Sequence, residues 1–391
     1  MPPDFARRTT QMRPFLAMEV LERAFEMERA GEDVIHLEIG EPDFPAHPAA
    51  AKACIRAIEA GQTHYTDSRG LSELREAIAD DHKRRFDVDV APERIIVSNG
   101  TSPAMLLVFS LLVGEGDEVV LGTPHYPCYP NFVRMSGGVP VLVPADPKAG
   151  YAMDVEAVRR ALTPRTRAIV VSSPANPTGA VQSEETMRGL ASLGVPIISD
   201  EIYDGLLYEG AKVTSALEIS DDAYVLDGFS KRYAMTGYRL GYAIVPLESV
   251  RAMQVMQQNL FISANCFVQH AGVAVLRDRS DALGEMLAAY TRRRRLLIDG
   301  LRELGFGIPV EPKGAFYVFA DARAFDSDSL RLAYTLLERA KVGTTPGIDF
   351  GESGEGWLRF AYARLRFAYA NSEAAIETAL ERLAAVLPSL R

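Results

Sequence analysis

Lysine is scarce in this chain, with seven in 391 residues, and Lys231 is set apart from the other six. It directly follows an apolar run ending near Leu226, precedes Arg232, and has Arg239 eight residues on. An amine beside other cations, or taken out of water, has its pKa pulled below the usual ~10.4. That is the condition a Schiff-base lysine needs. Without its neighbours Lys231 reads as an ordinary solvated loop lysine. Other polar groups stand at comparable places. Ser98-Asn99-Gly100-Thr101-Ser102-Pro103 can bring backbone N–H groups and two hydroxyls to an anion at a helix start. Taken alone it is equally a Ser/Thr cap with proline in the first turn. Tyr126 in Pro124-His125-Tyr126, Asn176 in Asn176-Pro177-Thr178-Gly179, and Asp200 with Tyr203 complete the set. Singly, each has a packing or turn explanation.

These residues all follow short apolar runs. The runs are 94–98, 118–122, 139–143, 168–172, 196–199, 224–226 and 240–245, with helical patterns at 103–113, 127–137, 153–162 and 184–193. Alternation of strand and helix implies a parallel sheet with crossover connections. Runs that are apolar throughout imply strands covered on both faces. The last run follows its predecessor without a clear helix, which allows it to be antiparallel. In such a sheet, ligands bind outside the C-terminal strand ends, so one crevice gathers an anion loop, an aromatic ring, an amide, a carboxylate, a phenol and an amine. Helical patterns also occupy 14–30, 47–60, 70–85, 248–278, 281–304, 327–340 and 372–387, with strand-like 316–319 and 357–363. The expected division is an N-terminal segment 1–45 that joins a smaller α+β domain, a large domain 46–285, and the small domain 286–391.

Composition narrows the function. Hydrophobic residues make up 48% and charged residues 24%, which fits a folded protein of two or three domains. The net charge of −10 argues against nucleic acid as the main partner. The run Arg292–Arg295 falls inside a helical pattern and is expected to be mainly a solvated face. Cys54, Cys128 and Cys266 form no paired motif and suit a reducing cytoplasm. The six histidines show no metal-binding spacing, so no metal is expected. There is no apolar N-terminal leader or 18-residue apolar run, so no membrane partner is expected. No G-x-G-x-x-G follows a strand and no G-x-x-x-x-G-K-[ST] occurs.

The segment Gly228-Phe229-Ser230-Lys231-Arg232-Tyr233-Ala234-Met235-Thr236-Gly237-Tyr238-Arg239-Leu240-Gly241 resembles the lysine signature of class I/II pyridoxal-phosphate-dependent aminotransferases. Gly40-Glu41-Pro42-Asp43-Phe44, Tyr65 with Gly70 and Leu74-Arg75, Asn176-Pro177-Thr178-Gly179, Asp200-Glu201-x-Tyr203 and Trp357-Leu358-Arg359 resemble further family motifs in the family's order. The resemblance spans essentially the whole chain. It implies a fold type I subunit: a mostly parallel seven-stranded α/β domain plus a smaller α+β domain. It also implies a homodimer with shared active sites, pyridoxal 5′-phosphate as cofactor, and an amino acid and a 2-oxo acid as substrates in a ping-pong transamination.

By that resemblance, Lys231 holds the cofactor and moves the proton at the substrate Cα, as general base and acid. Asp200 keeps the pyridine nitrogen protonated. Tyr203 and Asn176 bind the ring's phenolic oxygen, and Tyr126 stacks on the ring. Gly100, Thr101, Ser102 and Arg239 hold the phosphate, joined by Tyr65 from the other subunit. Arg359 binds the substrate carboxylate bidentately, with Arg364 and Arg366 read as surface ion pairs. Gly40 offers a backbone contact near the substrate, where Phe15, Ile39 and Tyr65 are candidate lining residues. Three positions depart from the family pattern. Gly228 stands where many relatives carry Ser or Thr, Ser173-Pro174-Ala175 precedes Asn176, and Ser102 occupies a region where some aspartate-using relatives have lysine. A C–S β-lyase or other elimination enzyme would share Lys231, Asp200 and Arg359. A cofactor-binding regulatory domain would need a DNA-binding module, and none fits before Gly40.

Overall fold

The computed structural model describes residues 5–363 and 372–390; Arg364 and Arg366 lie outside them. After a two-residue strand, β1 (Ile35–His36), come the seven strands of the main sheet. They are β2 (Ile95–Ser98), β3 (Glu118–Thr123), β4 (Val139–Pro144), β5 (Thr166–Ser172), β6 (Ile197–Asp200), β7 (Tyr224–Gly228) and β8 (Gly241–Ile244). Their order is β2-β8-β7-β6-β5-β3-β4. Neighbours are parallel except that β8 is antiparallel to β2 and β7. All seven apolar runs thus fall in one sheet. Strands β2, β6, β7 and β8 are buried at every residue, because helices cover both faces. Edge strand β4 is the exception to the expected two-sided burial: Val139 and Leu142 are exposed, and Pro140 and Pro144 suit a strand with one unpaired side.

The single helix expected over 248–278 is two helices, Val250–Leu260 and Cys266–Arg277. Ile262 breaks the first with φ +67°, and the Asn265 side chain caps the second by accepting from Val268 N–H.

The smaller body holds β9 (Tyr317–Asp321), β10 (Val342–Gly343), β11 (Thr345–Pro346) and β12 (Trp357–Ala361). Strand β12 pairs antiparallel with β11 and β9, and β10 runs parallel to β1. Helices Ala282–Leu304, Ser329–Ala340 and Ser372–Val386 pack against them. Leu37, Tyr203, Leu206, Tyr290 and Tyr317 share this core, so it reaches the strand-end loops of the larger sheet.

The solvated reading of Arg292–Arg295 needs correction. Successive helical residues point about 100° apart, so four arginines cannot share one face. Arg293 and Arg294 turn inward and are buried. Arg294 Nε donates to Pro312 O at 2.8 Å, and its terminal nitrogens pair with Glu209 and Glu311. Arg293 pairs with Asp43 at 2.8 Å and covers the Phe44 ring, pinning the loop that follows Gly40. Arg292 and Arg295 stay at the surface.

Candidate active site

The C-terminal ends of β5, β6 and β7, the start of the helix Thr101–Leu112 and strand β12 converge on one cavity of about 580 Å³. Lys231, Asp200, Tyr203, Asn176, Tyr126, Thr101, Ser102, Arg239, Gly40 and Arg359 all line it. Gly100 sits just behind, at the helix cap with φ +96°. A Cβ there would come within 2.7 Å of the Arg239 guanidinium, so glycine admits that cation to the helix start. Tyr65 stands apart. It is 84% exposed and absent from the cavity of its own chain.

Lys231 Nζ donates to Gly40 O at 2.6 Å and lies over the rings of Tyr203 and Phe316. Its pKa is drawn down to about 8, chiefly by burial, with Arg359 and Arg239 adding to the effect against Glu41 and Asp200. Arg232, expected to act on the amine as a neighbour in sequence, is instead bound to Asp81 at 3.0 Å. Asp200 closes β6 and is buried. Its Oδ2 accepts from Tyr129 Oη at 2.6 Å and its Oδ1 from Ile202 N–H at 3.3 Å. Burial lifts its pKa to about 6 against those hydrogen bonds, with Asp227 adding to the rise. A cation placed opposite this carboxylate would restore its charge.

Arg359, in β12, is buried. Its terminal nitrogens donate to Asn176 Oδ1 at 2.9 Å, to Thr345 Oγ1 at 3.0 Å and to Glu38 O. The Tyr317 ring packs 4.4 Å from its guanidinium carbon. A guanidinium carries five donors, so capacity for a carboxylate remains, and its Nε has no partner among the described residues. Gly40 is required by close approach. A Cβ there would overlap Tyr317 Oη and lie 2.7 Å from Tyr317 Cζ.

Several cavity residues escaped sequence reasoning. Tyr129, which holds Asp200, lies three residues after Tyr126. Tyr126 precedes the helix Tyr129–Met135, and the turn between them, closed by Tyr129 N–H donating to Tyr126 O, brings the two rings within 5.3 Å. Tyr317 hydrogen-bonds Tyr203 Oη to Oη at 2.7 Å, and no local pattern marks it. Glu41 accepts from Thr236 Oγ1 at 2.7 Å. Ser230, the residue before Lys231, also lines the cavity.

The arrangement can therefore hold an anion at the helix start, present an amine that gives up its proton more readily than an ordinary lysine beside a buried carboxylate, and take a second carboxylate at Arg359. Residues 32–383 match the family of class I and II aminotransferases. The chain belongs to this family. The aspartate/prephenate aminotransferase of Thermus thermophilus is 40% identical over 389 residues, covering 98% of both chains. The (5-formylfuran-3-yl)methyl phosphate transaminase of Methanocaldococcus jannaschii is 39% identical, over 97% of this chain and 98% of that one. The solved structure of T. thermophilus aspartate aminotransferase with maleate superposes with a TM-score of 0.92 at 38% identity, over 98% of this aminotransferase and 100% of that chain. The α/β architecture and the aminotransferase class are thereby shown. The family is generally pyridoxal-phosphate-dependent. Among the described residues no helix is long and apolar enough to cross a membrane.

Proposed function

We propose that this aminotransferase exchanges amino and keto groups between an L-amino acid and a 2-oxo acid by a ping-pong route, using pyridoxal 5′-phosphate. The observation that carries the reading is the convergence of the Lys231 amine, the buried Asp200 carboxylate and the buried Arg359 guanidinium on one cavity. The donor set fits the cofactor. Gly100, Thr101, Ser102 and Arg239 would hold its phosphate, Tyr126 would cover its ring, Asn176 and Tyr203 would reach its phenolic oxygen, and Asp200 would face its ring nitrogen. When bound, the cofactor supplies an electron sink for the pair left at the substrate Cα. Arg359 binds the substrate carboxylate through charge-assisted hydrogen bonds. Lys231 carries the Cα proton, and an amine pKa near 8 keeps it able to take that proton close to neutrality. Gly40 fixes the amine's direction through its carbonyl.

The assembly we infer is a homodimer in which Tyr65 of each copy completes the other's phosphate site. Tyr65 is exposed, and so are nearby Ile55, Ile58, Leu260 and Ile262; the segments carrying Tyr65 and Ile262 meet where Thr66 N–H donates to Ser263 Oγ. We also infer the division into 1–45 with 286–391 and a large domain 46–285; the β1–β10 pairing supports the first grouping. A cytoplasmic setting is consistent with three free cysteines.

The test is the absorbance spectrum of the purified protein, followed by single additions of amino acids without any keto acid. Conversion of the cofactor band with stoichiometric 2-oxo acid is expected, and Lys231→Ala should lose both band and conversion while keeping its circular dichroism. A persistent band with pyruvate and ammonia released from cysteine-like substrates would move the reading to a β-lyase. No band after adding pyridoxal phosphate would overturn the cofactor assignment.

A further inference from the structure

The N-terminal helix Leu16–Arg29 starts without a cap of its own, since Phe15 has no side-chain acceptor. Asp349 fills that place from the far end of the chain. Its Oδ1 accepts the Leu16 N–H at 3.0 Å and its Oδ2 the Ala17 N–H at 3.1 Å. The carboxylate is 9% exposed and lies in the short turn Gly347–Phe350. Two backbone donors at the positive end of a helix offset part of its burial, which still lifts its pKa to about 6.

What this bond places is the cavity wall. Phe15, Ala17 and Met18 all line the cavity. The Phe15 ring stands edge-on to Tyr126 at 5.9 Å. Tyr126 stands edge-on to Tyr129 at 5.3 Å, and Tyr129 Oη reaches Asp200. An aromatic wall therefore runs from the helix start to the reactive centre. Ile39 and Met105 extend its apolar surface. Among the described residues the cations lining the cavity are Lys231, Arg239 and Arg359, each already engaged in the reading above.

We propose that Asp349 is a positioning residue that seats the start of the N-terminal helix, so that Phe15 closes the side-chain end of the cavity and selects amino acids with large uncharged side chains. This rests on the aminotransferase reading.

The test uses Asp349→Asn and Phe15→Ala in the full-length holoenzyme. Asparagine keeps one acceptor but turns an NH₂ group toward the other backbone N–H. Amide exchange at Leu16 and Ala17 should quicken about tenfold, the loss of roughly one charge-assisted hydrogen bond. In single-turnover half-reactions, the apparent affinity for phenylalanine should fall by about the same factor, while that for alanine and the limiting rate hardly change. Phe15→Ala should give the same profile, and the double variant should lose no more than Phe15→Ala alone. Unchanged exchange, equal losses for phenylalanine and alanine, or additive losses would each overturn the proposal. If no amino acid converts the cofactor even in the unsubstituted protein, the aminotransferase reading fails instead. The exchange at Leu16 and Ala17 would still decide whether Asp349 seats the helix.

Discussion

Gly40→Ala is the smallest change that tests how the site is built. The added Cβ would overlap Tyr317 Oη and sit 2.7 and 2.9 Å from two carbons of the same ring. Ordinary contact begins near 3.4 Å, so the ring must retreat by about 0.7 Å at Cζ and more at the hydroxyl. The room open to it is the cavity it lines, and a retreat there parts it from Tyr203. Tyr317 is 1% exposed, wedged between the Arg359 guanidinium and the rings of Tyr203 and Phe316. The alternative is for the backbone at residue 40 to move, which draws its carbonyl away from Lys231 Nζ. Either way one hydrogen bond is lost, Tyr203–Tyr317 or Lys231–Gly40. Overpacking of about 1–3 kcal/mol plus about 1 kcal/mol for the bond gives a loss of about 2–4 kcal/mol. At an unfolding entropy of about 2.1 cal/mol/K per residue, the melting temperature should drop by about 2–5 °C. Differential scanning calorimetry of the cofactor-free protein measures this without interference from ligand binding. Adding Tyr317→Phe removes the worst overlap and should recover part of the loss. A Gly40→Ala protein that melts with the parent, or a double variant that recovers nothing, would refute the close-approach account.

Arg359→Lys keeps the charge but loses the planar fork, so KM for the amino acid should rise at least tenfold, since a charge-assisted hydrogen bond is worth about 1.5–3 kcal/mol; a KM within twofold of the parent would remove Arg359 from carboxylate binding. The neutral amine is the nucleophile, so uptake of pyridoxal phosphate by the cofactor-free protein should quicken with pH and level off above about 8, the value to which burial draws Lys231. A rate still climbing at pH 10 would mean an unperturbed lysine. His82 is buried with its pKa drawn to about 3, by burial first and then by the cation of Arg85. The unfolded chain takes up that proton near pH 6.5 and the folded chain does not, so His82 stabilises the fold above about 6.5 and this contribution is lost as pH falls toward 3. His82→Gln should flatten the acid limb of a stability–pH curve, and an unchanged slope would assign acid unfolding elsewhere.

The main sheet was legible because buried strands must be apolar on both faces, and each of its seven strands left a continuous run. The loops after β5, β6 and β7 were legible for a related reason: asparagine, aspartate and lysine at the ends of buried strands stand out against apolar surroundings. What stayed hidden has no local period. Strands β10 and β11 have two residues each and exist only through their partners. The break at Ile262 depends on a backbone angle, and only Asn265 signalled it. Arg293 and Arg294 are buried because Asp43, Glu209 and Glu311 meet them from distant segments. The Asp349–Leu16 bond joins positions 333 residues apart, beyond the reach of any window along the chain.

Gly228 shows how a departure from the family pattern can follow from packing. It pairs with Gly241 across β7 and β8, and a Cβ at 228 would lie 2.9 Å from Gly241 Cα and 3.0 Å from Leu240 O. Gly241 in turn has no room for a Cβ, which would sit 2.7 Å from Gly100 C and Thr101 N. The three glycines thus stack backbone on backbone, from β7 through β8 to the start of the helix Thr101–Leu112. A serine hydroxyl at 228 would bring a Cβ that pushes β8 into that helix start, moving the N–H groups and the Arg239 guanidinium that the anion end of the cavity depends on. Thr101, Ser102 and Ser230 already place hydroxyl-bearing side chains along the cavity. The donor absent at 228 is therefore exchanged for a closer approach of two strands and a helix, and Gly228, Gly241 and Gly100 are each expected to resist replacement by any residue that carries a Cβ.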